Sequence, residues 1–114
     1  MALGLLLVTP VPVQAHAQLV NANPKISAVL AKSPKVVSLT FDDDLIALEG
    51  SNIIVVTNSK GKTVSIGATK LSGASVQITL KTNLPLDRYK VTYQVLSVDG
   101  HPVSSSYYFY IRKK

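Results

Sequence analysis

The strongest constraint in this chain is a period-two alternation of apolar and polar residues, cut by turn-forming residues at spacings of about ten. Tyr89, Val91, Tyr93 and Val95 alternate with Lys90, Thr92, Gln94 and Leu96, so each set faces one side of an extended segment. Val37, Leu39 and Phe41 repeat the pattern around Ser38 and Thr40, and Val76, Ile78 and Leu80 do so again. Ile53-Ile54-Val55-Val56 is continuous and reads as a strand buried on both faces. Thr63 to Ile66 reads as a short strand, and a final strand is expected from about Ser105 to Ile111. Asn58-Ser59-Lys60-Gly61, Ser72-Gly73 and Leu84-Pro85-Leu86-Asp87 supply turns between these segments. Ile26 to Ala31 is the best helical candidate, but Pro24 and Pro34 bracket it closely. The expected fold is all-β: a sandwich with Greek-key connections. Tyr89, Tyr93, Tyr107 and Phe109 should pack in its core with tyrosine hydroxyls at the edges, an aromatic binding platform being the rival reading.

At 114 residues the chain suits one domain. Apolar residues make up 46% and charged residues 16%, enough to bury a core. The formal charge of +6 raises the question of an anionic partner. Lys25, Lys32, Lys35, Lys60, Lys62, Lys70, Lys81, Arg88 and Lys90 are scattered singly, however, and only Arg112, Lys113 and Lys114 cluster. They read as solvated charges and a basic tail, and no nucleic-acid partner is expected. The absence of Cys excludes disulfides and thiolate metal sites.

Residues 1–15, MALGLLLVTPVPVQA, resemble no folded element. A short apolar stretch is followed by Pro10 and Pro12, and Val13 and Ala15 occupy the small-residue positions that a signal peptidase accepts. The segment is too short and proline-broken for a membrane-spanning helix. No Lys or Arg precedes the apolar stretch, a departure consistent with a truncated start. The expected organisation is a signal peptide over 1–15 and a domain over 16–114. Cleavage after Ala15 makes His16 the mature N-terminus, whereas cleavage after Ala17 would discard it.

The chain contains only two histidines, His16 and His101. The α-amine and imidazole of an N-terminal His can chelate one metal ion in a six-membered ring. Their reference pKa values, roughly 7.7–8 and 6.5, let copper displace both protons at neutral pH. His101 would add an imidazole and Asp99 a carboxylate. Two positions apart, those two share a side on an extended segment, and Gly100 permits a turn between them. Three nitrogens and an oxygen suit Cu(II), whereas Cu(I) prefers sulfur ligands. Met1 is the sole methionine, so one Cu(II) ion and no Cu(I) site are expected. A solvated loop histidine beside a common Asp-Gly turn is the blander alternative.

The segment from Tyr89 through Ser97-Val98-Asp99-Gly100-His101-Pro102-Val103, with His16-Ala17 after a cleavage site, resembles the CopC-like copper-resistance domain. Asn23-Pro24 and Ser33-Pro34-Lys35-Val36-Val37-Ser38-Leu39-Thr40-Phe41 fit the early part of that family, so the resemblance covers the mature chain. It implies a cupredoxin-like (immunoglobulin-related) Greek-key barrel, periplasmic or extracellular, holding Cu(II) through His16, Asp99 and His101. A Met-rich Cu(I) segment found in some members is absent. Tyr93 stands where the family usually has Trp, and Ser104 to Ser106 where it usually has Gly. Asp43 corresponds to an acidic family position and is a candidate for orienting a metal-bound His or the amine.

The resulting expectation is a monomeric, non-enzymatic copper protein serving sequestration, transport or resistance, with a separate membrane copper transporter as partner. A metal-free cell-surface interaction module is the first alternative. A copper-dependent oxidase is the second, disfavoured by the carboxylate at the metal and the short chain. No nucleophile-elbow motif surrounds Ser104 to Ser106, which argues against a hydrolase.

Overall fold

Residues 17–113 are described in a computed structural model. They form β1 (Leu19–Asn23), β2 (Val29–Leu30), β3 (Val36–Phe41), β4 (Ile53–Thr57), β5 (Ser65–Ser72), β6 (Ser75–Leu80), β7 (Asp87–Leu96) and β8 (Pro102–Ile111), with no helix among the described residues. One sheet has the order β1-β3-β6-β5 and the other β2-β8-β7-β4. The chain crosses from β3 to β4, returns to β5 and crosses again from β6 to β7, as a Greek-key sandwich requires. The expected fold class holds.

Alternation decides what each strand buries. Val37, Leu39 and Phe41 of β3 and Val76, Ile78 and Leu80 of β6 face Tyr89, Val91, Tyr93 and Val95 of β7 across the core. Tyr89 and Phe109 are fully buried and stack with ring centroids 5.3 Å apart. Their neighbours Phe41 and Tyr93 meet edge to face at 5.7 Å. Tyr89 donates its hydroxyl hydrogen to the Pro85 carbonyl at 2.6 Å and Tyr107 to the Pro24 carbonyl at 2.8 Å. The four aromatics therefore serve the core, and burial pushes the Tyr107 phenol well above its ordinary pKa.

Three local expectations require correction. Ile54 and Val56 are buried, but Ile53 and Val55 are 41% and 37% exposed, so β4 buries one face. Ile53 and Val55 face outward from the two-sheet sandwich, where no second layer covers them, as on central β7. The segment expected from Thr63 to Ile66 instead starts at Ser65 and extends to Ser72, with a register shift between Ile66 and Lys70 around Gly67, whose φ is +77°. The last strand begins at Pro102, because pairing with β7 continues to Leu96 and proline is tolerated at a strand start. Ile26 to Ala31 forms no helix; Val29 and Leu30 pair in parallel with Tyr110 and Ile111.

The longest ribbon is the β7–β8 hairpin, paired from Asp87↔Ile111 to Leu96↔Pro102. Its closed end carries the Asp99 and His101 turn.

Candidate metal centre

The turn follows directly from its sequence. Ser97 donates its amide hydrogen to the His101 carbonyl at 3.1 Å and accepts that of Gly100 at 2.8 Å. Val98, Asp99 and Gly100 are therefore a three-residue hairpin loop, which needs its last residue left-handed; Gly100 has φ +87°. Asp99 and His101 are brought together by this turn and not by an extended segment, as their spacing alone suggested. One Asp99 carboxylate oxygen accepts the His101 amide at 3.0 Å, and the other lies 3.2 Å from His101 Nδ1. The Asp99 side chain is 22% exposed and that of His101 68%, so the imidazole is presented to solvent while the carboxylate steadies it. Asp99 and His101 could each supply one donor to a metal ion, an oxygen and a nitrogen.

The start of the described chain lies against the same turn. Ala17, 2% exposed, donates its amide hydrogen to the Ser97 hydroxyl at 3.1 Å. Gln18 and Asp42 hold each other: the Gln18 amide meets the Asp42 carboxylate at 2.8 Å, and the Asp42 amide meets the Gln18 carbonyl at 2.9 Å. The Leu45↔Ser97 bridge and the Ile46-to-Leu96 hydrogen bond tie the Asp42 segment to the hairpin. Three segments distant in sequence thus converge around Ser97, which is fully buried.

His16 lies outside the described residues, as does the expected cleavage site. Among the described residues no group of three or more His, Asp or Glu side chains could hold a metal ion; Asp99 and His101 supply two donors. Asp43 caps the Asp44 amide at 2.8 Å, while its neighbour Asp42 is the residue that meets the N-terminal strand. Sequence reasoning assigned no role to Ser97 or Asp42. The Ser97 signal was its place at the head of the Asp-Gly-His-Pro motif.

Removing the Ser97 hydroxyl would leave the buried Ala17 amide without that acceptor. Ser97→Ala is expected to cost about 1–3 kcal/mol, read as a lower urea midpoint with an unchanged slope. A midpoint equal to that of the unmodified protein would show that the contact stabilises nothing.

A family model for the CopC domain matches residues 19–112. The chain belongs to the CopC domain family. It is 34% identical over 102 residues to copper transport protein CutJ of Bacillus subtilis, a match covering 87% of this chain and 18% of CutJ. Copper resistance protein C of Escherichia coli is 25% identical over 116 residues, covering 96% and 91% of the two chains. The crystal structure of CopC from Methylosinus trichosporium OB3b superposes with a TM-score of 0.76 at 30% identity, covering 86% of this chain and 95% of that one. The methionine-rich PcoC of Escherichia coli shares the fold with a TM-score of 0.72 at 23% identity. Relatives of this CopC domain are thus named for copper transport and copper resistance, and copper binding is implied at the level of the family.

Proposed function

We propose that this CopC domain is an exported copper carrier that holds one Cu(II) through the His16 amine and imidazole together with Asp99 and His101. Cleavage after Ala15 would create the amine, and the mature protein would act in the periplasm or outside the cell. The observation that carries the reading is the Ala17 amide held on Ser97 Oγ, inside the turn that presents Asp99 and His101. Residue 16 is bonded to that same nitrogen. Consecutive Cα atoms are about 3.8 Å apart, so an N-terminal chelate at residue 16 has only a short distance to span to the turn.

The donor set favours the oxidised ion, since residues 16–114 contain neither Met nor Cys. A soft-ligand Cu(I) site would find no thioether or thiolate donor in these residues. Each donor has a task in capture: the amine and imidazoles give up protons to bind, and the Asp99 carboxylate offsets charge. We read the protein as a monomeric carrier with no enzymatic step, delivering copper to a separate membrane transporter.

Binding of this kind competes with protons. Copper occupancy should be full near neutral pH and fall roughly below pH 5–6, where free imidazoles and amines are protonated. Intact mass of the secreted chain locates its start, and copper per chain is then measured across pH. One Cu(II) per chain beginning at His16, released in acid, supports the proposal. Full occupancy retained at about pH 4, or a secreted chain beginning at Gln18, contradicts it.

A further inference from the structure

The scattered lysines and arginines of the sequence are gathered by the fold. The Asn58–Lys62 turn, carrying Lys60 and Lys62, sits at the start of β7, where the Ser59 amide and hydroxyl bind the Asp87 carboxylate. Lys81 donates its amide hydrogen to Val64, and the Lys35 carbonyl accepts that of Leu80. Ser33 takes the Leu84 amide, which brings the connection carrying Lys32 and Lys35 to the same end. Arg112 joins them there, its amide on the Leu30 carbonyl. Arg88 and Arg112 lie over the rings of Tyr108 and Tyr110 at 4.7 and 4.8 Å. Asp87, held by Ser59, is the acidic residue of these segments.

The opposite pole has the reverse composition. Asp42, Asp43, Asp44, Glu49 and Asp99 sit on the segments around Ser97, Gly73 and the start of β4. Lys70 lies on β5 toward that opposite end, paired with Gln77, whereas Lys90, paired with Tyr108 and Thr57, and Lys25 in the β1–β2 connection lie nearer the basic pole. The ten residues of β7 separate the poles by roughly 30 Å. The protein is therefore strongly dipolar, a charge pattern that orients a molecule in an external field and not merely in a contact. The basic pole also exposes Leu86, 54% accessible, next to the lysine-bearing connections. Cations, tyrosines carrying stacked guanidinium groups and an exposed leucine form the mixed surface that suits a headgroup region.

From this segregation we infer that the basic pole docks on an anionic phospholipid bilayer, leaving the Asp99 and His101 turn facing away from it. The inference is independent of the copper site, so metal-free protein suffices to test it. Each Lys or Arg near such a surface strengthens binding by roughly fivefold, and only those within about a Debye length of 8 Å contribute. Three or four contributing cations give reversible binding at millimolar lipid.

The test is co-sedimentation of the chain beginning at His16, which contains every described element, with vesicles of phosphatidylglycerol and phosphatidylcholine. Sedimentation with the mixed vesicles at low salt, none with pure phosphatidylcholine and release at about 0.5 M salt are expected. Lys32→Glu, Lys35→Glu and Lys81→Glu together should weaken binding at least tenfold. Lys81→Glu alone should weaken it about fivefold or more, whereas Lys70→Glu, the same charge change near the opposite pole, should cost less than threefold. Circular dichroism checks that the variants stay folded, as is expected because Lys32, Lys35, Lys70 and Lys81 are all exposed. No sedimentation with anionic vesicles overturns the inference. Equal losses from Lys70→Glu and Lys81→Glu, or tighter binding to a DNA duplex than to vesicles, overturn it as well.

Discussion

Replacing His101 with alanine should lower Cu(II) affinity by roughly a hundredfold to a thousandfold while leaving the fold intact. Structural metal sites with four ligands bind with apparent free energies of about 10–16 kcal/mol, so one ligand carries roughly 3–4 kcal/mol. At about 1.4 kcal/mol per factor of ten, that is two to three orders of magnitude. The His101 side chain is 68% exposed and packs no core, so its loss should change stability by less than about 0.5 kcal/mol. Cu(II) titration against a competing chelator, paired with a thermal melt of the metal-free variant, separates the two effects. Affinity unchanged within about threefold would remove His101 from the site. Asp99→Asn should fall between, since it keeps an acceptor near the His101 amide but removes the charge.

The largest effect on stability is expected from Phe109→Ala. Phe109 is fully buried and stacked on Tyr89 at an interplanar angle of 17°, toward the open end of the longest strand pair. Truncation removes apolar burial and leaves a cavity that two rigid sheets cannot close, a loss of about 3–5 kcal/mol. Against a total stability of about 5–15 kcal/mol, that is a large share. The melting temperature should drop by roughly 15 °C or more for a domain of this size. Tyr108→Ala, one residue earlier on the outer face of the same strand, removes a half-buried ring and its contact with Arg88. It should cost about 1 kcal/mol. Similar losses from the two variants would contradict the assignment of inner and outer faces.

Alternation carried most of the fold into view because it is a local property with a direct three-dimensional consequence. Tyr89 through Val95 and Val37 through Phe41 each show period two, and each buries the face its pattern indicates. The method failed where neighbours decide. Ile53 and Val55 read as core residues, yet they face outward from the sandwich and their side is uncovered. Pro102 read as lying outside the last strand, but cross-strand pairing with Leu96 includes it.

The candidate site was half legible for a similar reason. Asp99, Gly100 and His101 are close in sequence, so their types and spacing pointed to one another. The contact of Ala17 with Ser97 spans 80 positions and that of Gln18 with Asp42 spans 24. Such pairs leave no local trace, and only the sheet order places them together. The segregation of charge is a stronger case, since lysines spaced widely along the chain become neighbours through Greek-key crossings.

In the proposed site the N-terminal amine of His16 completes the copper coordination. The most direct measurement is a Cu(II) titration of two chains, one beginning at His16 and one carrying a single extra alanine before it. The added residue keeps every side chain, including that of His16, and moves only the amine. One tight Cu(II) site is expected in the first chain and a loss of roughly a hundredfold or more in the second. Equal affinities in the two chains would contradict it and leave the imidazoles and carboxylate as the whole site.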